Sequence, residues 1–328
     1  MSIIKTKIKR LIRKNENLNY RLHYLKTAMF DKDALERKVS YGSLNPDKTI
    51  YIIRPTTNGV EGLMSLFLNV MRRVNYAYKK GYIPVVDMKN YHTQYEDGSG
   101  DNVWERYFSQ PDEISLEEAY KSKNVILSGF TKKIDPDYSD IVFSVTCVSD
   151  DEYAKRNRQL IDNHIAINEK WNALINEEAK KLDIENCIGV YVRGTDYLKL
   201  KAPGERIQPD VSMVIEKTKA FANKYQAPVY VVTEDQLLYK KIADEIPNVR
   251  TVSNDIRVSN YNSDDYLSKS GAFKEDKQLL GGIYLTKIIL LSRCKYYVGG
   301  VTAGSIACFC FNGARYEDKH VFNLGSYS

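Results

Sequence analysis

One arginine in this chain is placed to bind phosphate. The segment Cys187-Ile-Gly-Val-Tyr-Val-Arg-Gly-Thr-Asp-Tyr197 opens with Ile188, Val190 and Val192, which read as a strand buried on at least one face. It stops at a charged, turn-prone tetrad: Arg193, Gly194, Thr195 and Asp196. In open α/β sheets, ligands bind at the carboxyl ends of buried parallel strands. Arg193 would therefore point into a binding crevice. Its planar guanidinium stays charged and offers a fork of donors matched to phosphoryl oxygens. The competing reading is a structural ion pair, Arg193 with Asp196 capping the turn.

The second candidate is Gly299-Gly-Val-Thr-Ala-Gly-Ser305. Small residues between a strand and a helix let the backbone approach a ligand, and free amides at the helix start attract an anion. Tight strand–helix packing would call for the same residues, so the loop alone is weak evidence. With Arg193 on another strand of the same half, it points to one diphosphate site: an arginine fork opposite a helix N-terminus.

The elements that must hold these groups read as an alternation. Thr49–Ile53 is a buried strand ended by Arg54-Pro55, and the loop Thr56–Gly62 follows. A helix then opens with Leu63, Leu66, Phe67, Val70, Met71 and Val74 on one face and stops at Gly81. Tyr82–Asp87 is the next strand. This β-loop-α-β unit has no G-x-G-x-x-G, so the dinucleotide fingerprint is absent. Strands are also expected at Asn124–Gly129 and Ile141–Val145, and a long helical stretch from Asp151 to Leu182. Residues 90–110, aromatic and polar, suit either a surface excursion lining a substrate cleft or a loop packed by its own aromatics. In the second half, strands at 188–194, Pro228–Thr233, Val249–Ser253 and Lys295–Gly299 alternate with helices at Asp210–Lys224, Gln236–Glu245 and Lys277–Ser292. The loop at 299–305 opens a last helix. This pattern predicts an α/β fold of two doubly wound, Rossmann-like domains facing each other across a cleft. The domains would span 41–180 and 181–328, after a basic segment over 1–40.

Composition narrows the function. The chain has 328 residues, 43% hydrophobic and 27% charged, which suits two globular domains. No apolar run approaches the roughly 20 residues of a membrane span, and the opening residues lack the continuous apolar core of a signal peptide. The five cysteines (147, 187, 294, 308 and 310) read as buried free thiols in a reducing cytoplasm. The net charge of +6 is concentrated at the start: Lys5, Lys7, Lys9, Arg10, Arg13, Lys14, Arg21 and Lys26 face only Glu16 within residues 1–30. Ile3, Ile4, Ile8, Leu11 and Ile12 recur among them at helical spacing. This is the pattern of a helix lying on an anionic membrane surface, here the inner face. It fits equally a helix packed on the protein with its lysines in water. No basic stripe or aromatic-studded sheet elsewhere points to nucleic acid.

Three segments together resemble one enzyme family. Val190-Tyr-Val-Arg-Gly-Thr-Asp196 resembles the H-x-R-x-T-D motif of the α-1,6-fucosyltransferases and related motifs of the protein O-fucosyltransferase superfamily. Val229-Tyr-Val-Val-Thr-Glu-Asp235 is similar to their second motif, and Leu290 through Gly304 to their third, in the same order over residues 185–312. Asn58-Gly-Val-Glu-Gly-Leu63 is a weaker likeness to the glycine loop of the family's first domain. The resemblance implies a GT-B fold, with the acceptor-side domain first and the nucleotide-sugar domain second. It also implies inverting, metal-independent transfer of fucose from GDP-fucose to a cell-surface or lipid-linked glycan, with no cofactor beyond the donor. In it, Arg193 and the loop Thr302, Ala303, Gly304 and Ser305 hold the donor's β-phosphate, and Gly59 or Gly62 closes over it. Glu234 and Asp235 line the donor site.

A general base for the acceptor hydroxyl is implied shortly after the first motif, where Glu205 is the only carboxylate between Asp196 and Asp210. Asp196 could share the catalytic role or orient Arg193. Two positions depart from the family: Tyr191 replaces a histidine, and Lys287 stands near a guanine-binding aspartate. A carboxylate accepts both hydrogen bonds from guanine's N1–H and amino group, and lysine cannot. A donor with another base, or a non-catalytic nucleotide- or sugar-binding protein on the same scaffold, is therefore an alternative. Asp135-Pro-Asp137 has the D-x-D form used by metal-dependent sugar transferases but reads as a turn, so no metal site is expected.

Overall fold

The computed structural model describes residues 25–26, 29, 34–55, 59, 61–129, 143–273 and 276–328. The basic segment up to residue 24, and Asp135-Pro-Asp137, lie outside the described residues. The chain divides into two compact units. One gathers residues up to Gly59 with Arg72–His92 and Gln110–Ile141, and the other Val60–Met71, Thr93–Ser109 and Val142–Ser328.

The first unit is built on four strands in the order β1-β4-β2-β3. Strand β2 (Ile50–Ile53) runs parallel to β3 (Ile83–Val86) and β4 (Val125–Leu127), while β1 (Arg37–Val39) is antiparallel to β4. All four residues of β2 are buried, as a central parallel strand with apolar side chains on both faces requires. Ile50, Ile52, Val85, Val125 and Leu127 pack against Ile114, Leu116 and Ala119. Helix α1 (Leu63–Lys79) begins in the second unit and ends in the first, and the single turn α2 (Leu116–Ala119), capped by Ser115, lies in the first.

The second unit is an all-parallel sheet in the order β7-β6-β5-β8-β9. Its strands are β5 (Ile188–Tyr191), β6 (Val229–Val232), β7 (Val249–Arg250), β8 (Tyr296–Gly300) and β9 (Asp318–Phe322). Its helices are α3 (Asp151–His164), α4 (Glu169–Leu182), α5 (Thr195–Leu200), α6 (Val211–Tyr225), α7 (Gln236–Glu245), α8 (Lys277–Arg293) and α9 (Ala303–Asn312). Ile188, Val190, Val229, Val231 and Val298 form the sheet's share of a core completed by Val214, Phe221, Leu238 and Ile242. Helix α8 is buried on nearly all sides. It packs so closely on α4 that a Cβ at Gly282 would lie 1.9 Å from the Trp171 ring. The five cysteines are free and buried.

Three expectations are corrected. The helical stretch from Asp151 to Leu182 is two helices. Ile165 is extended, and Phe108 pairs with Ile167 as an antiparallel bridge. Ser109 N donates to Ala166 O and Asn168 N to Tyr107 O, and Asn168 then caps α4. The strand expected at Ile141–Val145 is absent from its described part: Phe143 has φ +59° and Ser144 caps a 3-10 turn at Val145–Val148. The aromatics of 90–110 are not a surface excursion. Trp104, Tyr107 and Phe108 are buried, stacked with Phe67 or with one another.

Lys287, on α8, is buried and engaged. Its Nζ donates to Thr233 O at 3.0 Å and lies 2.5 Å from Asp255 Oδ1. Burial lowers its pKa, and Asp255 opposes the shift. Arg257 closes the group: it pairs with Asp255 and lies over the Tyr239 ring. Asp255→Ala would leave two buried cations without their carboxylate. It should cost about 3–5 kcal/mol, read as a lower urea midpoint, whereas the double change Asp255→Leu with Lys287→Met should recover much of the loss.

Candidate functional site

Counted from β5, the second sheet has the order 3-2-1-4-5, which reverses between β5 and β8. Ligands of doubly wound sheets bind at this reversal, outside the carboxyl ends of the two strands. Arg193 follows β5, Thr302 follows β8, and Tyr191 pairs in register with Gly299.

The arginine turn is held by carboxylates from the end of β6. Glu234 Oε1 accepts from Gly194 N at 2.8 Å and from the Thr195 hydroxyl at 2.9 Å. Thr195 N donates to Asp235 Oδ2 at 3.3 Å, and Asp235 Oδ1 caps α7 through Leu237 N and Leu238 N. These bonds fix Thr195 at φ +43°, a conformation costly for a β-branched residue. Asp196 accepts from Arg193 Nη2, Tyr197 N and the Thr195 hydroxyl on one oxygen and from Leu267 N on the other, each at 3.1 Å. Asp196 therefore orients the turn and the arginine together. Gly194 is required by space: a Cβ there would lie 2.5 Å from Asp235 Oδ2 and 2.7 Å from Leu238 Cδ1. Gly194→Ala should cost about 1–3 kcal/mol, seen as a lower thermal midpoint with weaker nucleotide binding.

Arg193 itself is only partly satisfied. Its side chain is 15% exposed. Among the described residues, Nη2 donates to Asp196, while buried Nε lies 3.5 Å from Glu234 Oε2 without a hydrogen bond. Burial works against its charge, but Glu234, Tyr191 and Asp196 outweigh it and raise the pKa well above the usual value. The guanidinium stacks 4.8 Å from the centre of the Tyr197 ring. Burial raises the pKa values of Tyr95, Tyr191, Tyr197 and Tyr284, and Arg193 opposes the rise at each. The group is thus a buried cation among four phenols.

The loop after β8 is tied to the same place. The Tyr191 hydroxyl lies 3.0 Å from Thr302 Oγ1 and 3.2 Å from the Tyr284 hydroxyl. A Cβ at Gly304 would collide with both phenols, at 2.4 and 2.2 Å. Thr302 and Ser305 form a reciprocal capping box at the start of α9. Thr302 Oγ1 takes the amides of Gly304 and Ser305, leaving Ala303 N–H without a partner among the described residues.

Glu205 is half-buried, and its carboxylate makes no hydrogen bond or ion pair among the described residues. Its charge adds to the rise of the Tyr197 pKa, which burial causes first and Arg193 opposes. Gln208 follows it and donates from Nε2 to Val301 O at 3.0 Å.

Gly59, at φ +59°, belongs to the first unit, where a Cβ would meet His92 at 2.6 Å. Gly62 belongs to the second unit and starts α1, with open space at its Cα. The next amide, Leu63 N, donates to the Tyr95 hydroxyl at 2.8 Å. Tyr95 and Tyr284 were not singled out from sequence. Only the aromatic richness of 90–110 hinted at the first, and nothing local marked the second. Among the described residues no group of three or more His, Cys, Asp or Glu could hold a metal ion, and no helix is long and apolar enough to cross a membrane.

The second unit is a doubly wound α/β sheet with a charged turn and a small-residue helix start at its reversal point, where sheets of this kind bind ligands. Among solved structures, the fold is similar to that of the fucosyltransferase NodZ from Bradyrhizobium, with a TM-score of 0.50 at 16% identity over 82% of this chain and 93% of NodZ. A selenomethionine form of NodZ gives 0.51 at 16% identity, covering 86% and 97%. A variant of Arabidopsis thaliana FUT1 in complex with GDP gives 0.45 at 9% identity, covering 84% and 71%. No protein-family model and no curated protein matches the chain.

Proposed function

We propose that the chain is an inverting glycosyltransferase of the GT-B class that moves fucose from GDP-fucose to a glycan hydroxyl. The fold likeness to a fucosyltransferase supports the class. The observation that carries the reading is the buried Arg193 guanidinium, its Nε in an ion pair with Glu234 but without a hydrogen bond, at the β5/β8 reversal where an unused Ala303 amide opens α9. In this reading the acceptor hydroxyl gives its proton to Glu205 as its oxygen bonds to the sugar's anomeric carbon. The bond from that carbon to the β-phosphate oxygen breaks, and its electron pair stays on the diphosphate. Arg193 and the Ala303 amide bind that growing charge more tightly than the ground state, which is the condition for raising the rate. Lys287, held by Thr233 and Asp255, supports the wall of the site rather than reading the base. A membrane-associated glycan as acceptor would suit the basic opening segment.

Titration calorimetry with GDP, UDP, CDP and dTDP tests the donor. The reading expects GDP to bind most tightly and Arg193→Ala to abolish the difference. Preference for another diphosphate would replace fucose with another sugar, and binding of GDP with no turnover of GDP-fucose would remove the enzyme.

A further inference from the structure

We propose that Gly325–Tyr327 is a strap that positions Glu205 for proton abstraction. The proposal rests on the transferase reading, with Glu205 as its base. The loop that carries Glu205 has no regular structure of its own: Lys201 at φ +46° and Gly204 at φ +88° break the chain on either side of Pro203. What orders it is a short antiparallel pairing with the segment that follows β9. Gly204 N donates to Tyr327 O at 2.9 Å, Tyr327 N to Glu205 O at 3.0 Å, and Ile207 N to Gly325 O at 3.1 Å. Arg206 and Ser326 face each other as the bridge between them. The far side of the loop is pinned by Gln208, which is buried and donates to Val301 O, one residue before the Thr302 cap.

The consequence is specific to one side chain. The Glu205 amide donates to Ala202 O and its carbonyl accepts from Tyr327, so its backbone is committed on both sides. Its carboxylate is not. Its charge contributes, after burial, to the raised pKa of Tyr197, whose ring stacks on Arg193. The strap thus fixes the backbone that carries this carboxylate, through a segment that follows β9. Displacing a reacting group by about 1 Å can cost on the order of 100-fold in rate.

Tyr327→Pro removes the N–H that binds Glu205 O. Its turnover is read as GDP release from GDP-fucose, with water standing in for the acceptor hydroxyl. The strap predicts a fall in kcat of about 10-fold or more with the Kd for GDP unchanged, and faster hydrogen exchange at the Gly204 and Ile207 amides. In a Glu205→Gln background the same change should cost nothing further, because the group being positioned is gone. Equal losses in both backgrounds would overturn the proposal, as would a wild-type kcat in Tyr327→Pro with those amides exposed. Wild-type turnover by Glu205→Gln would also overturn it, by removing the base. That failure is distinct from a strap that fails alone, where Glu205→Gln is slow and Tyr327→Pro is not.

Discussion

Arg193→Ala should slow GDP release from GDP-fucose by about 100-fold or more in kcat. The effect follows from where the charge appears. In the proposed reaction, negative charge collects on a diphosphate at the β5/β8 reversal as the sugar–phosphate bond breaks, and Arg193 is the cation at that point. Its neighbours are phenols and the carboxylates of Glu234 and Asp196 rather than water, so the charge is held in place in a site of low dielectric. Glu234 and Asp196 would lose a partner, but each keeps other donors: Gly194 N and the Thr195 hydroxyl for Glu234, Tyr197 N and Leu267 N for Asp196. The turn should therefore survive the substitution, with the thermal midpoint confirming it. Arg193→Lys should fall between the two, since it keeps the charge and loses the fork. A folded Arg193→Ala protein with wild-type turnover would show that the guanidinium is only the turn's ion pair.

Glu205→Gln should cost about 100- to 10,000-fold in kcat while leaving GDP affinity unchanged. The substitution keeps the side chain's size and removes its ability to take a proton. Because the carboxylate makes no bond that the fold depends on, the unfolding midpoint should not move. Loss of GDP binding in this variant would place Glu205 on the donor instead, and full activity would leave the base elsewhere.

Sequence showed the frame of the second unit well, for a physical reason. Ile188–Tyr191 and Val229–Val232 are buried throughout, so their residues are apolar without interruption. Asp235 marks the start of α7 by a cap that is local in sequence. Strand β9, Asp-Lys-His-Val-Phe, is an edge strand whose first four residues are half-buried, and it carries no such run. The break between α3 and α4 depends on pairing with Phe108, which no local pattern reveals. The arginines show the same limit at the site. Arg54 and Arg193 each follow a buried strand and look alike in the chain. Arg54 gives Nε to the Ser128 carbonyl at 2.7 Å, while Arg193 Nε has no hydrogen bond. Which of the two is available to a ligand is decided by residues far away in sequence. Tyr95 and Tyr284 escaped notice for the same reason: each reaches the site from an element that shares no motif with it.

The most direct test is the Arg193 side chain itself, followed by nuclear magnetic resonance of the arginine Nε–H groups as GDP is added. If the diphosphate sits at the β5/β8 reversal, the Arg193 Nε–H signal, assigned by its loss in Arg193→Lys, should shift downfield into a strong hydrogen bond at the concentration where GDP binds. If GDP binds and that signal stays where it was, the diphosphate is held elsewhere and this account of the site is wrong.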